Sequence, residues 1–508
     1  MAKAKTKRKT KAKKVSPVRW HRDLITAQRY KGKSSIKDRR IDEEATSDRA
    51  RVVYSSAFRR LQQRTQVFTL SKDAAVRTRL THSLEVASVG RWVAQKVVDG
   101  ALGGLDLEYR SALVSLVETG CLAHDIGNPP FGHFGESAIQ AWFRDNWKSA
   151  AGKLAKSKNL QNLVEDFLQF DGNPQGMRIL TRLQGLTKKD RSKYGMDLTF
   201  SQVLTALKYP RGPQDDPKRW KKPGFFESER RMVEKAWNAL SFGKQRRFPL
   251  AYLVEVADDI SYCISDMEDG IDQGLVSPKQ FFDGIREWID KIGPLPSPDL
   301  TTLREKSHRC RDNVAATSDP TEAKDQFMDF KAAFTRTMIA EAAHAYGNGD
   351  SEDIRRGERP GLLDGTDADA LLRLLKEIAP KYLYIDDTVQ RPFLAGLRIV
   401  HGILDQYGEF LKLTRGTFAL LRNAWKSPDR STVHKEKLQT LLPLLDRLPA
   451  HYLDVYDSAV KETESTKKWG EAVWEWFCRA HLIVDYLSGM TDDFAYRSYR
   501  VISGVKLE

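Results

Sequence analysis

Residues 118–143, ETGCLAHDIGNPPFGHFGESAIQAWF, are the stretch that decides the fold of this 508-residue chain. An apolar helical pattern runs into a His124-Asp125 pair, and Gly127 and a Pro-Pro dipeptide then end the helix. Neighbouring side chains on a helix point about 100° apart, so both can reach one ion only if it lies in a corner beyond the helix end. The Pro-Pro turn supplies such a corner.

The residues after that turn supply two more groups of the same chemical type. GHFGE at 132–136 is typical of a glycine-flanked loop, and it carries His133 and Glu136. A His-Asp pair on its own more often forms a hydrogen-bonded helix end than a metal site. A functional interpretation therefore requires ligands from other segments.

One such segment is the predicted helix at 249–271. Asp258, Tyr262 and Asp266 recur in it at intervals of four residues, which stacks them on one face. Carboxylates beside an apolar stripe are costly unless they are paired or bind a cation. The segment contains no Lys or Arg, so we favour cation binding over a salt-bridged helix face.

A second such segment is the predicted helix at 81–98, with His82 in its first turn. A capping or solvent-facing histidine explains His82 equally well on its own. With His124, Asp125 and Asp258, however, it makes a set of two imidazoles and two carboxylates. That set suits Mn²⁺, Fe²⁺, Co²⁺ or Zn²⁺, and suits Mg²⁺ less well. Such an ion orients anionic substrates and activates water, so the predicted chemistry is phosphate ester hydrolysis.

The composition predicts a protein of the reducing cytoplasm. The chain has a mass of 57.8 kDa and is 41% hydrophobic, with no apolar run of membrane length and no signal-peptide pattern. Its four cysteines are widely spaced, which argues against a disulfide framework or a zinc ribbon. Of the net charge of +15, eight positive charges lie within residues 1–14. We expect residues 1–16 to be a disordered basic tail, either a solubilising arm or a nucleic-acid contact.

The rest of the chain predicts an all-α fold. No alternating strand pattern is long enough to suggest a sheet, and helical patterns continue beyond Pro278. Among these patterns are single helices at 47–61 and 433–448. The region at about 150–247 is rich in Lys, Gly and Pro, and we interpret it as inserted loops that frame the site. An aromatic cluster of Trp469, Trp474, Trp476 and Phe477 is more typical of a core or a subunit interface than of a ligand site.

Several motifs, taken together, resemble a known enzyme family. The pattern H…HD…D resembles the HD-domain metal-dependent phosphohydrolases, and the longer motifs resemble the deoxyguanosinetriphosphate triphosphohydrolases of bacteria. The matching motifs are LQQRTQVF (61–68), RTRLTHSLEV (77–86), HDIGNPPFGHFGE (124–136), GNPQG (172–176), LKYP (207–210), KKPGFF (221–226), EVADDISYCISDMED (255–269) and DYLSGMTDDFA (485–495). The resemblance covers most of the chain apart from the basic tail.

The resemblance implies a reaction and a set of residues that carry it. The reaction is removal of the intact triphosphate from a deoxynucleoside 5′-triphosphate, with dGTP favoured, by attack of water at the α-phosphorus. Mn²⁺ or Mg²⁺ is the ion expected first, with Co²⁺, Fe²⁺ or Zn²⁺ as alternatives. The implied metal ligands are His82, His124, Asp125 and Asp258. His133 is the expected proton-transfer group, with Glu136 on its other ring nitrogen.

The resemblance also implies contacts to the substrate. They are Gln66, Val67, Arg79, Asn173, Lys208, Tyr209, Lys221, Lys222, Tyr262 and Asp266. Gln66 is expected to bond the 3′-hydroxyl, Tyr262 to exclude a 2′-hydroxyl, and the basic side chains to hold the triphosphate. An Asn-Pro turn is the plainer interpretation of Asn173.

The organisation implied by the resemblance is an HD-type catalytic core at 17–290 and a C-terminal helical region at 291–508. The second region is expected to complete the site and to form subunit contacts. The family resemblance further implies a homo-oligomer, a hexamer, and in some members modulation by single-stranded DNA. No membrane contact is expected.

Two other functions remain open at this point. A different HD phosphohydrolase would act on a nucleoside monophosphate, a cyclic nucleotide or an alarmone with the same ligands. Alternatively, the chain is a nucleotide-regulated protein that binds single-stranded nucleic acid through its basic tail. Product analysis separates the first alternative, and deletion of residues 1–14 separates the second.

Overall fold

The structure is a computed structural model that describes residues 16–32, 36–68, 76–185, 193–291, 295–348, 351–426 and 438–505. Over these ranges the secondary structure is helical, and β structure is limited to isolated bridges. The all-α prediction is therefore confirmed. None of the described helices is both long enough and apolar enough to cross a bilayer. The predicted basic tail, apart from Ser16, lies outside the described residues.

The first half of the chain forms helices that follow one another closely. They are α1 (Pro17–Leu24), α2 (Ile41–Val53), α3 (Ser56–Arg60), α4 (Arg79–Asp99), α5 (Leu107–Ala123), α6 (Gly132–Ala151), α7 (Lys158–Leu163), α8 (Glu165–Leu168), α9 (Gly172–Arg178), α10 (Phe200–Thr205), α11 (Arg230–Ala239) and α12 (Pro249–Asp272). Short 3₁₀ or π turns lie at Leu61–Gln63, Gly152–Lys156, Ile179–Leu183 and Glu227–Glu229.

The second half contains longer helices. They are α13 (Pro278–Gly284), α14 (Arg286–Ile289), α15 (Pro298–Ala316), α16 (Pro320–Asn348), α17 (Ser351–Arg356), α18 (Asp367–Tyr382), α19 (Asp387–Tyr407), α20 (Glu409–Lys412), α21 (Arg415–Lys426), α22 (Leu442–Asp446), α23 (Ala450–Ala459), α24 (Thr463–Trp469), α25 (Glu471–Ser488) and α26 (Asp492–Ile502).

The helices that carry the predicted ligands form the centre of the fold. α4 packs against α5 and α12, and α2 covers α5. Gly90 of α4 permits this close packing, because a Cβ there would overlap Cys121 Sγ of α5 and touch Ala257 of α12. The start of α4, the end of α5 and the middle of α12 are thereby brought to one place.

The C-terminal helices pack directly on this centre. α16 lies against α4 and α12, α18 lies against α12, and α19 contacts both α6 and α26. α25 is buried along most of its length, and Trp469, Trp474 and Trp476 are buried as well. The interpretation of the aromatic cluster as core is therefore confirmed. Helices on both sides of the predicted boundary at residue 290 meet around the site.

Two predicted helices differ from the structure. The single helix predicted at 47–61 is interrupted after Val53, because Ser55 accepts a hydrogen bond from the backbone N–H of Phe58 and so starts α3. The helix predicted at 433–448 is confirmed only for α22, since its first residues lie outside the described part of the chain.

Two predicted loops are in fact first turns of helices. GHFGE begins α6, because positive φ angles at Phe131 and Gly132 place the sharp bend just before the histidine. GNPQG begins α9, because the Asp171 carboxylate accepts a hydrogen bond from the backbone N–H of Asn173 and caps the helix. The Asn-Pro turn interpretation is therefore wrong: Asn173 lies at the start of a helix.

Candidate active site

Three predicted ligands from three helices converge. His82 lies in α4, His124 caps the end of α5, and Asp258 lies in the middle of α12. Asp258 Oδ1 is 3.5 Å from Nε2 of His82 and 3.5 Å from Nε2 of His124. One ligand atom from each residue falls within 4.8 Å of the others. A single metal ion can therefore bind all three side chains.

The orientation of His124 fits that of a metal ligand. Its Nδ1 donates a hydrogen bond to the backbone carbonyl of Cys121 at 2.6 Å, which leaves Nε2 unprotonated in the neutral ring. Nε2 is buried and has no hydrogen-bond partner among the described residues. A buried acceptor without a donor is costly, and a bound cation removes that cost. The donor set and this orphaned atom fit a divalent metal.

Asp125 lies beside the three converging residues but is not one of them. Its Oδ2 accepts a hydrogen bond from Arg79 Nη1 at 2.7 Å, and its Oδ1 accepts one from Asn128 Nδ2 at 2.5 Å. Burial raises the pKa of Asp125, but the positive charges of Arg79, His124 and His82 together outweigh burial and hold the pKa well below its ordinary value. Asp125 is therefore ionised, and its Oδ1 lies 3.6 Å from Nε2 of His124.

The adjacent carboxylates Asp258 and Asp259 face different partners. Oδ1 of Asp258 faces the histidines, while its Oδ2 accepts a hydrogen bond from Lys208 Nζ at 3.2 Å. Burial raises the pKa of Asp258, but Lys208 and the nearby imidazoles outweigh it and keep the pKa well below its ordinary value. Asp259 instead pairs with Lys376 at 2.9 Å. This geometry favours Asp258 over its neighbour as the ligand.

His133 and Glu136 face each other across the first turn of α6. His133 Nδ1 is 2.7 Å from Glu136 Oε2, and Oε1 of the same carboxylate accepts a hydrogen bond from the backbone N–H of Gly172 at 2.7 Å. The hydrogen bond to Glu136 raises the pKa of His133. The His133 side chain is 79% exposed, whereas that of Glu136 is buried. The exposed imidazole is therefore held at Nδ1 by a carboxylate that is itself buried and hydrogen-bonded.

These groups line one cavity of about 430 Å³, a size that suits a small-molecule ligand. The predicted substrate contacts that line it are Gln66, Val67, Arg79, Asn173, Lys208, Tyr209, Lys222, Tyr262 and Asp266. Both lysines are exposed, but only Lys222 lines the cavity, where its Nζ pairs with Asp171 at 2.7 Å. The structure thus gives Lys222, rather than Lys221, a place at the site.

The cavity lining is acidic in spite of its basic side chains. It contains six Asp or Glu side chains and four Lys or Arg side chains, which gives a formal charge of −2 when the histidines are neutral. We call the part of the cavity formed by His82, His124, Asp125 and Asp258 the histidine end.

Further along α12 from Asp258, two tyrosine hydroxyls line the cavity beside Asp266. Tyr384 donates a hydrogen bond to Asp266 Oδ2 at 2.5 Å, and its hydroxyl is 2.6 Å from that of Tyr262. We call these three residues the tyrosine end. Burial raises the pKa of Asp266 to about 6. Asp266 Oδ1 and Gln66 Oε1 are buried without a hydrogen-bond partner in the described part of the chain, so both are open to a donor from a ligand.

Sequence reasoning missed Lys376 and Tyr384, which line the cavity from α18 and the residues after it. Neither belongs to a motif with a chemically informative spacing. The available signal was indirect, because Asp259 and Asp266 have no basic partner within α12 and so required partners from elsewhere.

The chain is similar to known proteins over most of its length. Residues 79–197 match the HD domain family. The chain is 34% identical to a deoxyguanosinetriphosphate triphosphohydrolase of Cronobacter sakazakii (strain ATCC BAA-894), over 96% of this chain and 98% of that protein. A protein of the same name from Enterobacter sp. (strain 638) is 33% identical with the same coverage. One from Serratia proteamaculans (strain 568) is 34% identical over 89% of this chain and 92% of that protein. The resemblance predicted from the motifs is confirmed, and the chain belongs to the deoxyguanosinetriphosphate triphosphohydrolase family of HD-domain proteins.

Proposed function

We propose that this chain hydrolyses deoxynucleoside 5′-triphosphates, with dGTP favoured, to deoxynucleoside and inorganic triphosphate. Water attacks the α-phosphorus and the 5′-oxygen leaves. Membership of the family supports this reaction, because the relatives are named for dGTP. The observation that supports it most is the convergence of His82, His124 and Asp258 in a cavity that His133 also lines.

The charge of the cavity supports a metal-dependent reaction. A nucleoside triphosphate is strongly anionic, and the lining has a formal charge of −2 before any ion binds. A divalent cation held by His82, His124 and Asp258, with Asp125 beside them, would offset this repulsion, polarise a phosphoryl oxygen and lower the pKa of bound water. We propose Mn²⁺ or Mg²⁺, and the two imidazoles favour Mn²⁺.

His133 is proposed to donate a proton to the 5′-oxygen as its bond to phosphorus breaks. The raised pKa of His133 keeps a larger fraction of the ring protonated near neutral pH. Because Glu136 holds Nδ1, the Nε2 proton is the one available for transfer.

Lys208 and Lys222 are proposed to hold the triphosphate oxygens. Burial lowers the pKa of both lysines, but the surrounding anionic groups together outweigh burial and raise it, with Asp258 the largest of them for Lys208 and Asp171 for Lys222, so both lysines are charged. Both already line the cavity, and charge-assisted hydrogen bonds from them would stabilise the leaving triphosphate.

The tyrosine end supports selection for deoxyribose. Gln66 Oε1 and Asp266 Oδ1 are unpartnered acceptors that suit a 3′-hydroxyl. The Tyr262 ring, held through its hydroxyl by Tyr384, is proposed to pack against the sugar and to leave no room for a 2′-hydroxyl.

The experiment is product analysis in H₂¹⁸O. Purified protein is incubated with Mn²⁺ or Mg²⁺ and with each dNTP and NTP separately, and a chelated sample is the control. We expect deoxynucleoside and tripolyphosphate from dNTPs, with ¹⁸O in the tripolyphosphate only. Release of a nucleoside monophosphate with pyrophosphate would contradict the proposal, as would ¹⁸O in the deoxynucleoside.

We further propose a cytoplasmic homo-oligomer, a hexamer by family resemblance. The four cysteines are free thiols, which supports a reducing compartment. Leu84 and Trp92 are 51% and 59% exposed and lie two turns apart on α4, which supports a subunit contact there. Modulation by single-stranded DNA is proposed from the resemblance alone. Light scattering tests the assembly, and salt-dependent DNA binding with and without residues 1–14 tests the modulation.

A further inference from the structure

The motif DYLSGMTDDFA at 485–495 has no part in the chemistry proposed above. It forms the end of α25, a turn and the start of α26. Nevertheless, it contacts two segments of the cavity wall that are far from it in sequence. One is residues 64–67, which we call the sugar loop, and the other is residues 128–132, which we call the histidine turn.

Asp492 joins these two segments with its two carboxylate oxygens. Oδ1 accepts a hydrogen bond from the backbone N–H of Phe131 at 3.0 Å. Oδ2 accepts hydrogen bonds from the backbone N–H of Thr65 at 3.2 Å and from the Thr65 hydroxyl at 2.9 Å. Asp492 is 4% exposed. One buried side chain therefore holds the sugar loop with one oxygen and the histidine turn with the other.

The histidine turn needs such support because its backbone is strained. Phe131 has φ of 64° and ψ of 18°, in the left-handed region that residues other than glycine rarely adopt. Its ring packs on Gly396 of α19, where a Cβ would lie 2.6 Å from Phe131 Cγ. The turn is thus held at its ring and at its amide by C-terminal helices. His133 follows Phe131 by two residues, so its position depends on this turn.

Arg64 makes a second, parallel link. Its side chain is buried, and it donates hydrogen bonds to the backbone carbonyls of Ser488 and Met490 in the C-terminal motif. It also donates to the carbonyl of Asn128 in the histidine turn. Because Arg64 and Thr65 directly precede Gln66, the C-terminal motif sets the sugar loop and the histidine turn relative to each other.

From these contacts we infer that Asp492 is a positioning residue for the reaction. It touches neither the substrate nor the reacting atoms. Its two hydrogen-bonded links fix the distance between Gln66 and His133, so that Gln66 reaches the sugar while His133 reaches the 5′-oxygen of the same substrate molecule. The inference rests on the roles proposed above for those two residues.

The chain offers matched variants for a test. Asp492→Asn keeps the shape of the side chain but leaves one acceptor oxygen, and its NH₂ would face an N–H donor, so one of the two links breaks. Asp493→Asn is the control, because Asp493 is exposed and pairs with Arg497 within α26. Thr65→Val removes only the hydroxyl bond to Asp492.

The test combines kinetics, Mn²⁺ binding and amide hydrogen exchange on the full chain. For Asp492→Asn we expect unchanged Mn²⁺ binding, a kcat with dGTP about tenfold lower and a preference for dGTP over GTP about tenfold smaller. Amide exchange should rise in the sugar loop and the histidine turn but not in α12. Thr65→Val should raise KM and relax the preference by about threefold with kcat unchanged.

Several results would overturn the inference. One is equal kinetics and exchange in Asp492→Asn and Asp493→Asn. Another is faster exchange everywhere, α12 included, because that describes a general loss of stability. If Asp492→Asn does not fold, the inference is tested with Thr65→Val. An unchanged preference of Thr65→Val for dGTP over GTP would then contradict the inference. Failure of the wild-type protein to release tripolyphosphate from any dNTP would instead refute the proposed function, while the exchange data would still report on the link.

Discussion

The carboxylates at the histidine end and at the tyrosine end of the cavity have pKa values that are shifted in opposite directions. At the histidine end, Asp125 and Asp258 lie among cations and imidazoles, and both have pKa values below their ordinary range. At the tyrosine end, Asp266 lies among hydroxyl groups, and burial raises its pKa to about 6. The first arrangement suits a metal ion and phosphate oxygens. The second suits an uncharged hydroxyl, which agrees with the proposal that the triphosphate binds at the histidine end and the sugar at the tyrosine end.

The largest expected effect is at the histidine end. His124→Ala and Asp258→Ala should each lose Mn²⁺ binding and lower turnover by about 10⁴-fold or more, because the ion supplies several kcal/mol of transition-state stabilisation. Asp259→Asn should keep the ion, because Asp259 pairs with Lys376 outside the converging group. Mn²⁺ titration followed by electron paramagnetic resonance measures binding. Full Mn²⁺ affinity in both alanine variants would contradict the assignment of the metal to the histidine end.

The next effect concerns proton transfer. His133→Ala should keep the metal and lose about 10² to 10³-fold in kcat, since general acid catalysis contributes on that order. Undiminished hydrolysis by this variant would remove His133 from the mechanism.

The pH dependence of kcat in Glu136→Gln tests the role of His133 as proton donor in a second way. A proton donor is active below its pKa and inactive above it, and Glu136 raises the pKa of His133. The alkaline limb of kcat should therefore move to lower pH in Glu136→Gln. A limb that stays in place would show that His133 is not the donor.

A smaller effect is expected at the tyrosine end. Tyr384→Phe removes the hydroxyl that bonds both Tyr262 and Asp266. It should lower the preference for dGTP over GTP by about fivefold, which corresponds to the net free energy of roughly one hydrogen bond. Mn²⁺ binding should not change. If the metal is lost and the preference is kept, the two ends are not separate.

The smallest expected effect is the pH dependence of KM. Asp266 has its pKa near 6, so it is an ionised acceptor at neutral pH and becomes protonated below that value. KM for dGTP should rise about threefold between about pH 7 and 5.5, and Asp266→Asn should lack this change. The substrate titrates identically in both measurements, so equal profiles would rule Asp266 out as the source.

The histidine end could be predicted from the sequence more completely than the tyrosine end. His82, His124 and Asp258 belong to short motifs in which residue type and helix position together indicate the chemistry. The absence of Lys or Arg from the segment around Asp258 was informative only about local partners, because Lys208 reaches that carboxylate from another element.

The remaining features depend on tertiary contacts that no local spacing encodes. Tyr384 bonds Asp266 from far away in the chain and belongs to no motif. Asp492 lies in the motif at 485–495, but no spacing within that motif indicates its contacts with Phe131 and Thr65. The prediction of a loop around His133 is wrong because it assigns both flanking glycines to a loop that approaches a ligand closely. The bend is instead confined to Phe131 and Gly132, which lets His133 and Glu136 share a helical turn.

Anomalous diffraction from a Mn²⁺-soaked crystal tests the central claim most directly. We expect one peak within about 2.0–2.3 Å of His82 Nε2, His124 Nε2 and an Asp258 carboxylate oxygen. Mn²⁺ bound elsewhere, with no peak shared by these three side chains, would contradict the account.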